Sequence, residues 1–438
     1  MSASDIPVSI LSGGLGAGKT TTLNHLLENA PEEREIAVLV NDMGEVNVDA
    51  ALVERQVTLD DDETTVTELS NGCICCGLAN EFGQTIVELA KTVEFDALVV
   101  EPSGMSDPAE VAQTVRSNRQ AAFHYNLDTI VTVVDAALFH DVFIAGAEVN
   151  EVTEDAKPLS DLLAEQVEFC DLVLLNKTDL VTDEELAEVE SLIRALQPQA
   201  DIETAERGRV DPCVLLDVGR FDLDRVSGGA GWKQAHKYHQ EATDDEDGEG
   251  HDSDDHDHED SHDNEGHSHE GHDHDDHLHP PEEFGLTSCN YGRPRPFHPE
   301  RLVDWLADVP ADVVRAKGLM WVAGRERHAL NCNLAGTQVQ VDVNGQWAAT
   351  MPEFQRKAYR EARPDLDWDE EWGDREIDLV FIGHDLDETA IQNSLDDCLL
   401  TDVEMDEDWE RYENPFPGRA EEELVFDADV DKWGVATV

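Results

Sequence analysis

The sequence predicts an α/β protein, with a larger domain on a mostly parallel sheet followed by a smaller α+β sheet domain. Three observations predict it. Short apolar runs alternate with helical stretches over the first 225 residues, the pattern of a parallel sheet covered by helices. A glycine-rich turn closes the first of these runs, at residues 13–18. The composition then changes twice, into a charged tract near residue 241 and back to patterned sequence near 284.

Taken in order, "PVSIL" (7–11) is a short apolar run ending in glycines and reads as a buried strand feeding a turn. From Lys19 to about Asn29 the spacing is helical, with Leu23, Leu26 and Leu27 on one side. Further buried-strand candidates are "IAVLV" (36–40), "ALVVE" (97–101), "TIVTVVD" (129–135), "LVLLN" (172–176) and "CVLLD" (213–217). Helical stretches over 81–92, 159–169 and 183–196 separate them. "VSGGAGW" (226–232) reads as a flexible joint. The segment from about 241 to 283 has no Lys or Arg and almost no large apolar residue. It cannot bury enough surface to offset chain entropy, so disorder is expected there.

Order returns near Phe284. "GLTSCNY" is a strand candidate, "HPERLVDWLADV" a helix with Pro299 in its first turn, and "VVRAKGLMWVAG" a strand. "HALNCNL", "TQVQVDV" and "EIDLVFIG" continue as strands, and "DLDETAIQNSLDDCL" as a helix with an acidic start. The expected division is therefore 1–225, a linker over 226–283, a second domain over 284–402, and an acidic tail over 403–438 with few periodic features.

Composition excludes several partners. With 99 acidic and 30 basic side chains the formal charge is −69, which no nucleic-acid phosphate or anionic lipid surface would attract. Acid spread over the whole chain fits a halophilic protein, kept soluble in a very salty cytoplasm. The start "MSASDIPVSILSGG" lacks the basic and apolar regions of a secretory signal, and no run is long enough to span a membrane. Cys170, Cys213, Cys289, Cys332 and Cys398 are scattered, unlike a disulfide framework. A reducing cytoplasmic setting is expected.

"GGLGAGKT" fits G-x-x-x-x-G-K-[ST] through Gly13, Gly18, Lys19 and Thr20. Backbone amides of such a loop point at phosphate oxygens, and its glycines let the chain come close. Lys19 would reach the β- and γ-phosphates and Thr20 would bind Mg²⁺. "LNKTD" supplies Asn176, Lys177 and Asp179 at a strand end. A carboxylate placed like that of Asp179 accepts from the paired N1 and N2 donors of guanine, which adenine lacks, so GTP is expected over ATP. "EPSG" (101–104) closes another strand. There Glu101 would hold the Mg²⁺ water shell and Gly104 would let a switch segment swing toward the γ-phosphate.

"NGCICCGL" (71–78) carries three of the chain's eight cysteines, Cys73, Cys75 and Cys76. Its glycines favour a turn over a core strand. A redox thiol wants a cation nearby, yet no Lys or Arg occurs from Gln56 to Ala90. A metal supplies that positive charge itself and deprotonates the thiols on binding. Zn²⁺ suits such thiolates, with Cu(I) as the other soft candidate. Three sulfurs leave one tetrahedral position open. The later tract holds ten of eighteen histidines within residues 251–279. They include the pairs His256/His258, His267/His269, His272/His274 and His277/His279, which read as weak, exchangeable sites for Zn, Ni or Co.

Together these pieces resemble the CobW-type metallochaperone GTPases, related to the nickel-insertion GTPases of urease and hydrogenase. The resemblance rests on "LSGGLGAGKTT", "VNDMGEVNVDA", "ELSNGCICCGL", "EPSGMSDP" and "LNKTDL", in that order. It continues through "RPRPFHPERL", "RAKGLMWVAGR" and "LVFIGHDLDE". It implies a P-loop GTPase domain joined to a smaller domain with a ferredoxin-like sheet. It also implies that Gly13, Gly14, Gly16, Gly18, Lys19, Thr20 and Thr21 cradle the phosphates, that Asn41 and Asp42 belong to a first switch and that residues 101–104 form a second. Cys73, Cys75 and Cys76 would be metal ligands, and Asn176 and Asp179 guanine readers. Two departures are that Gly14 stands where relatives usually carry a bulky residue, and that "NDMG" replaces the commoner Asn-Glu-Phe-Gly.

The expected activity is GTP hydrolysis coupled to transfer of zinc, or of cobalt or nickel, to an unidentified client protein. The cysteine turn lies between the two switch segments, so nucleotide state would change its hold on metal. The alternatives are a cobalt-handling protein of cobalamin synthesis and a metal buffer that stores ions in the histidine tract.

Overall fold

The computed structural model describes residues 6–31, 34–40, 65–68, 79–145, 159–222, 286–363, 366, 368–420, 422–427 and 434–437 of the 438-residue chain. These residues build two seven-stranded sheets. In the first half, strands β1 (Ile6–Gly13), β2 (Ile36–Val40), β3 (Thr65–Glu68), β4 (Ala97–Glu101), β5 (Tyr125–Asp135), β6 (Leu172–Asn176) and β7 (Asp201–Thr204) are all parallel. Their order is β3-β2-β4-β1-β5-β6-β7. The chain leaves β1 toward β2 on one side and later crosses to β5 on the other, so the C-terminal end of β1 lies at the point where loops diverge and ligands bind.

Helices fill both faces: α1 (Lys19–Asn29), α2 (Ala79–Thr92), α3 (Pro108–Ser117), the single turn α4 (Ala121–His124), α5 (Ala136–Phe143), α6 (Leu159–Glu168) and α7 (Asp183–Leu196). Successive β2 residues serve opposite cores, Ala37 and Leu39 on one face, Ile36, Val38 and Val40 on the other. Burial on both faces is why this strand reads as an unbroken apolar run. The start of α7 is fixed by a capping box, Thr182 accepting from Glu185 N while the Glu185 carboxylate accepts from Thr182 N.

One expected strand is absent. Residues 213–217 do not join the sheet: Pro212–Val214 is a 3-10 turn capped by Asp211, and Asp217 adopts φ 56°. Leu215 and Leu216 are nevertheless buried, because this segment crosses one face of the sheet, where Ser9 Oγ donates to Leu215 O at 2.9 Å. An apolar run marks burial, and here burial comes without strand pairing. The seventh strand is instead β7, a mostly exposed edge with no apolar signature. The helices α3 and α5 and the strand β3 also lie outside the sequence expectation.

The second sheet comprises β8 (Leu286–Arg293), β9 (Val313–Met320), β10 (His328–Ala335), β11 (Gln338–Gln346), β12 (Ile377–His384), β13 (Glu422–Asp427) and β14 (Gly434–Thr437). All of its pairs are antiparallel, in the order β14-β13-β11-β10-β9-β12-β8. Helices α8 (Pro299–Leu306), α9 (Glu353–Ala362), α10 (Glu388–Asp396) and the short α11 (Asp402–Met405) accompany it. Leu302, Leu306, Ile391 and Leu395 pack with Tyr291, Leu379 and Phe381 in its core. The segment after residue 402, acidic and featureless by composition, contributes buried Trp409, Phe416 and Leu424 to that core and two strands to the sheet.

The two sheets meet at α6. Arg315 of β9, wholly buried, donates through Nε and Nη2 to the Glu168 carboxylate at 2.6 and 3.1 Å, and through Nη1 to Asp161 at 3.0 Å. Lys317 reaches Glu168 at 3.3 Å and Glu165 at 3.7 Å. Leu286, Val314 and Ala335 join the first domain's core around this joint. Burial raises the Glu168 carboxyl, but the Arg315 and Lys317 cations outweigh it and hold the group below the usual carboxylate range.

Candidate nucleotide and metal site

The loop between β1 and α1 forms a cradle. Gly13 and Gly18 take φ 137° and 109°, values that L side chains rarely adopt. A Cβ on Gly13 would strike Val133 O of β5, and one on Gly18 the Asn176 amide. Glycine is therefore required twice over, for conformation and for space. Helix α1 begins at Lys19, so its first-turn amides and positive end face the cradle. The buried Lys19 ammonium donates to Gly13 O at 2.8 Å and Gly14 O at 3.1 Å.

Opposite the cradle stands the end of β4. Thr20 Oγ1 donates to Glu101 Oε1 at 2.9 Å, and Glu101 is 4 % exposed. A cleft of about 220 Å³ opens between them, lined by Leu15, Gly16, Gly18, Lys19, Thr20, Thr21, Val40 and residues 101–104. Gly104 closes on the cradle: a Cβ there would come within 2.8 Å of Leu15 N. Ser103 and Ser106 turn this segment tightly, Ser106 N donating to Ser103 O at 2.9 Å. The Thr20 hydroxyl and Glu101 carboxylate are the hard oxygen donors that Mg²⁺ prefers, so the pair fits that ion.

Asn176, 2 % exposed at the end of β6, acts as a brace. Its Nδ2 donates to Ala17 O at 2.8 Å and its Oδ1 accepts from Gly208 N at 2.9 Å. Expected from its motif to read guanine, it also joins the cradle to the loop after β7. Lys177, at φ 61°, pairs with Asp135 at 2.6 Å, and Asp179 follows in an exposed 3-10 turn. Thr178 Oγ1 donates to Ala205 O at 3.2 Å, so residues 205–208 complete the rim beside Asp179.

The loop at Gly208 and the α6 residue Gln166 escaped the sequence reading. For Gly208 the only signal was a glycine after an unrecognised strand. For Gln166 it was a polar residue on the stripe of Leu159, Leu162 and Leu163. Several expected ligands lie outside the described residues. They are Cys73, Cys75 and Cys76 of the cysteine turn, and Asn41 and Asp42 of the first switch. The expected tract ligands His256, His258, His267, His269, His272, His274, His277 and His279 lie outside them as well. Among the described residues no cluster of His, Cys, Asp and Glu could hold a metal ion. The five described cysteines are thiols rather than disulfides, and burial pushes those of Cys289 and Cys332 up to about 12, which makes them inert. Among the described residues no helix is long and apolar enough to cross a membrane.

Residues 7–204 match the CobW/HypB/UreG nucleotide-binding domain, and residues 286–399 match the cobalamin synthesis protein CobW C-terminal domain. A protein of Dictyostelium discoideum, zinc-regulated GTPase metalloprotein activator 1, is 32% identical over 91% of this chain and 81% of its own length. The chain belongs to the CobW family. The zinc chaperone YjiA of Escherichia coli is 34% identical over 50% of this chain and 63% of its own. Among solved structures, Zn(II)-bound YjiA GTPase is 22% identical, covering 90% of this chain and 99% of that one with a TM-score of 0.38. Within this CobW-family chain, Gly14 is accommodated by α6: a Cβ there would lie 2.9 Å from Leu163 Cδ2.

Proposed function

We propose that the protein is a GTP-hydrolysing zinc chaperone that passes its metal to a client metalloprotein in the cytoplasm. In this reading Gly13 to Thr21 hold the phosphates, Asp179 reads guanine, and Asn176 sets the distance between cradle and base rim. Thr20 and Glu101 would hold Mg²⁺, which neutralises the phosphate charge that grows as the terminal bond breaks. Gly104 lies where the terminal phosphate would be sensed. Zinc is cargo, and Cys73, Cys75 and Cys76 are its proposed thiolate ligands. The pairs His256/His258, His267/His269, His272/His274 and His277/His279 would offer weaker exchange sites. Residues 1–225 carry the nucleotide chemistry, 226–283 link, and the second domain begins near 284 and runs past 402 through β14.

The observation that carries this reading is the meeting of Thr20 and Glu101 at 2.9 Å across a cleft floored by the Lys19 cradle. It supports a metal-and-phosphate pocket at the strand end that a switch must leave. Zinc titrations of the whole chain with GTP, with GDP and without nucleotide test the coupling. Different constants are expected, and by linkage bound zinc changes nucleotide affinity by the same factor. Three equal constants would refute it. Replacing Cys73, Cys75 and Cys76 by serine is expected to abolish tight zinc binding while GDP affinity persists.

A further inference from the structure

Helix α6 touches three things at once. Its Leu163 packs against Gly14 of the cradle. Its Gln166, 1 % exposed, donates through Nε2 to Gly104 O at 3.1 Å and Ser106 O at 3.3 Å. Its Asp161 and Glu168 receive the buried Arg315 of the second domain at 3.0 and 2.6 Å. The helix is also tied to the central sheet, because Thr132 Oγ1 donates to Gln166 O at 2.7 Å.

We propose that Gln166 is a positioning residue for GTP hydrolysis, holding the 103–106 segment against the cradle, and that Arg315 of the second domain sets Gln166 by gripping α6. This rests on the GTPase reading above and deepens it, since it makes hydrolysis depend on the docked second domain.

The chemistry is specific. One amide nitrogen supplies two protons to two carbonyls in one turn, so it fixes the turn's height and its tilt together. Gly104, whose backbone is thereby held, lies across the cleft from Lys19 and Thr20. Asp161 and Glu168 are seven residues apart on α6, about two turns, with Gln166 between them. A guanidinium bound to both carboxylates therefore clamps the part of the helix that carries the amide. GDP has no γ-phosphate to meet residues 103–106, so loss of the clamp is expected to reach turnover and leave GDP binding alone.

The test compares whole-chain wild type, Gln166→Met, Arg315→Lys and the double variant, reading kcat and KM for GTP with Mg²⁺ and the Kd for GDP. Gln166→Met keeps length and apolar bulk but removes both donors. Its kcat is expected to fall roughly ten- to hundredfold, the scale of a small misplacement at a reacting centre. Its GDP Kd should stay within about twofold. Arg315→Lys is expected to lower kcat by less, and the double variant to match Gln166→Met, because residues acting through one another are not additive. A Gln166→Met kcat within about twofold of wild type overturns the proposal. So does a GDP Kd that weakens in step with kcat, or a double variant whose losses multiply. A wild-type chain that does not hydrolyse GTP overturns the underlying GTPase reading instead. The ratio of GTPγS to GDP affinity across the four proteins then still tests the clamp, with an unchanged ratio overturning it.

Discussion

Arg315→Met is the perturbation with the largest expected effect on stability. The guanidinium is wholly buried and donates to both Glu168 oxygens, to Asp161 and, at 3.2 Å, to Leu334 O. Removing one partner of such a set leaves uncompensated buried charge, a loss of about 3–5 kcal/mol. Lys317 stays 3.3 Å from Glu168 and offsets part of it, which places the expectation at the low end, about 3 kcal/mol. The assay is urea unfolding followed by tryptophan fluorescence, which reports the second domain through Trp321 and Trp409, both buried there. The sign with pH follows from Glu168. Its folded pKa is depressed, so its contribution is present above the unfolded carboxylate range and lost as pH falls through the folded value. In the variant only Lys317 still opposes the effect of burial, so that pKa rises and the stability deficit should shrink toward acid pH. Adding Asp161→Leu and Glu168→Met should recover most of the loss. A deficit under about 0.5 kcal/mol, the noise of an ordinary surface change, would refute the reasoning.

Gly18→Ala puts a Cβ into the Asn176 amide at φ 109°; GDP affinity should drop by more than about tenfold, since the brace and the cradle cannot both keep their geometry. Asp179→Ala should weaken GTP by roughly a hundredfold while ATP is unchanged, two hydrogen bonds to a charged acceptor being worth about 3 kcal/mol; competition binding measures both. In the second domain, the Arg301 guanidinium bonded to Glu404 holds that carboxyl at about 2 against a usual 4.5. That stabilisation should be full above about pH 4.5 and fade as pH falls toward 2; a Glu404→Gln chain whose acid unfolding curve superimposes on wild type would contradict it.

What the sequence made legible follows the physics of each signal. Strands β1, β2, β4 and β6 are buried on both faces and carry apolar runs, so their positions could be read directly. So could the cradle, because a backbone-lined phosphate site forces glycines at fixed spacing. Edge strand β7 faces water and leaves no run, and β3, reading "TVTE", is too short and polar to carry one. Residues 213–217 show that apolar residues can be buried by crossing a sheet. The roles of Gln166 and Arg315 were not legible, since each depends on a partner far away in sequence: Arg315 lies 147 residues from Glu168. Asn176 was read as a base contact from its motif, and only its two bonds to Ala17 and Gly208 reveal the bracing role.

The chain's charge bears on how these contacts operate. With 99 acids against 30 bases, self-repulsion opposes the compact state. Four of the scarce cations sit at joints: Lys19 in the cradle, Lys177 on Asp135, Arg315 and Lys317 between the domains. Salt shortens the screening length from about 10 Å at 0.1 M to about 3 Å at 1 M. That weakens repulsion among surface carboxylates, while the buried Arg315 cluster, out of contact with solvent ions, is hardly screened. Raising KCl from about 0.1 to about 2 M should therefore raise the thermal midpoint of wild type. In Arg315→Met the midpoint should climb with the same slope from a lower start, because its deficit lies in the interior where salt does not reach. A midpoint that falls with salt would mean that exposed ion pairs, rather than apolar cores and this joint, hold the fold together. A variant that converges on wild type at high salt would mean that the Arg315 cluster is open to solvent.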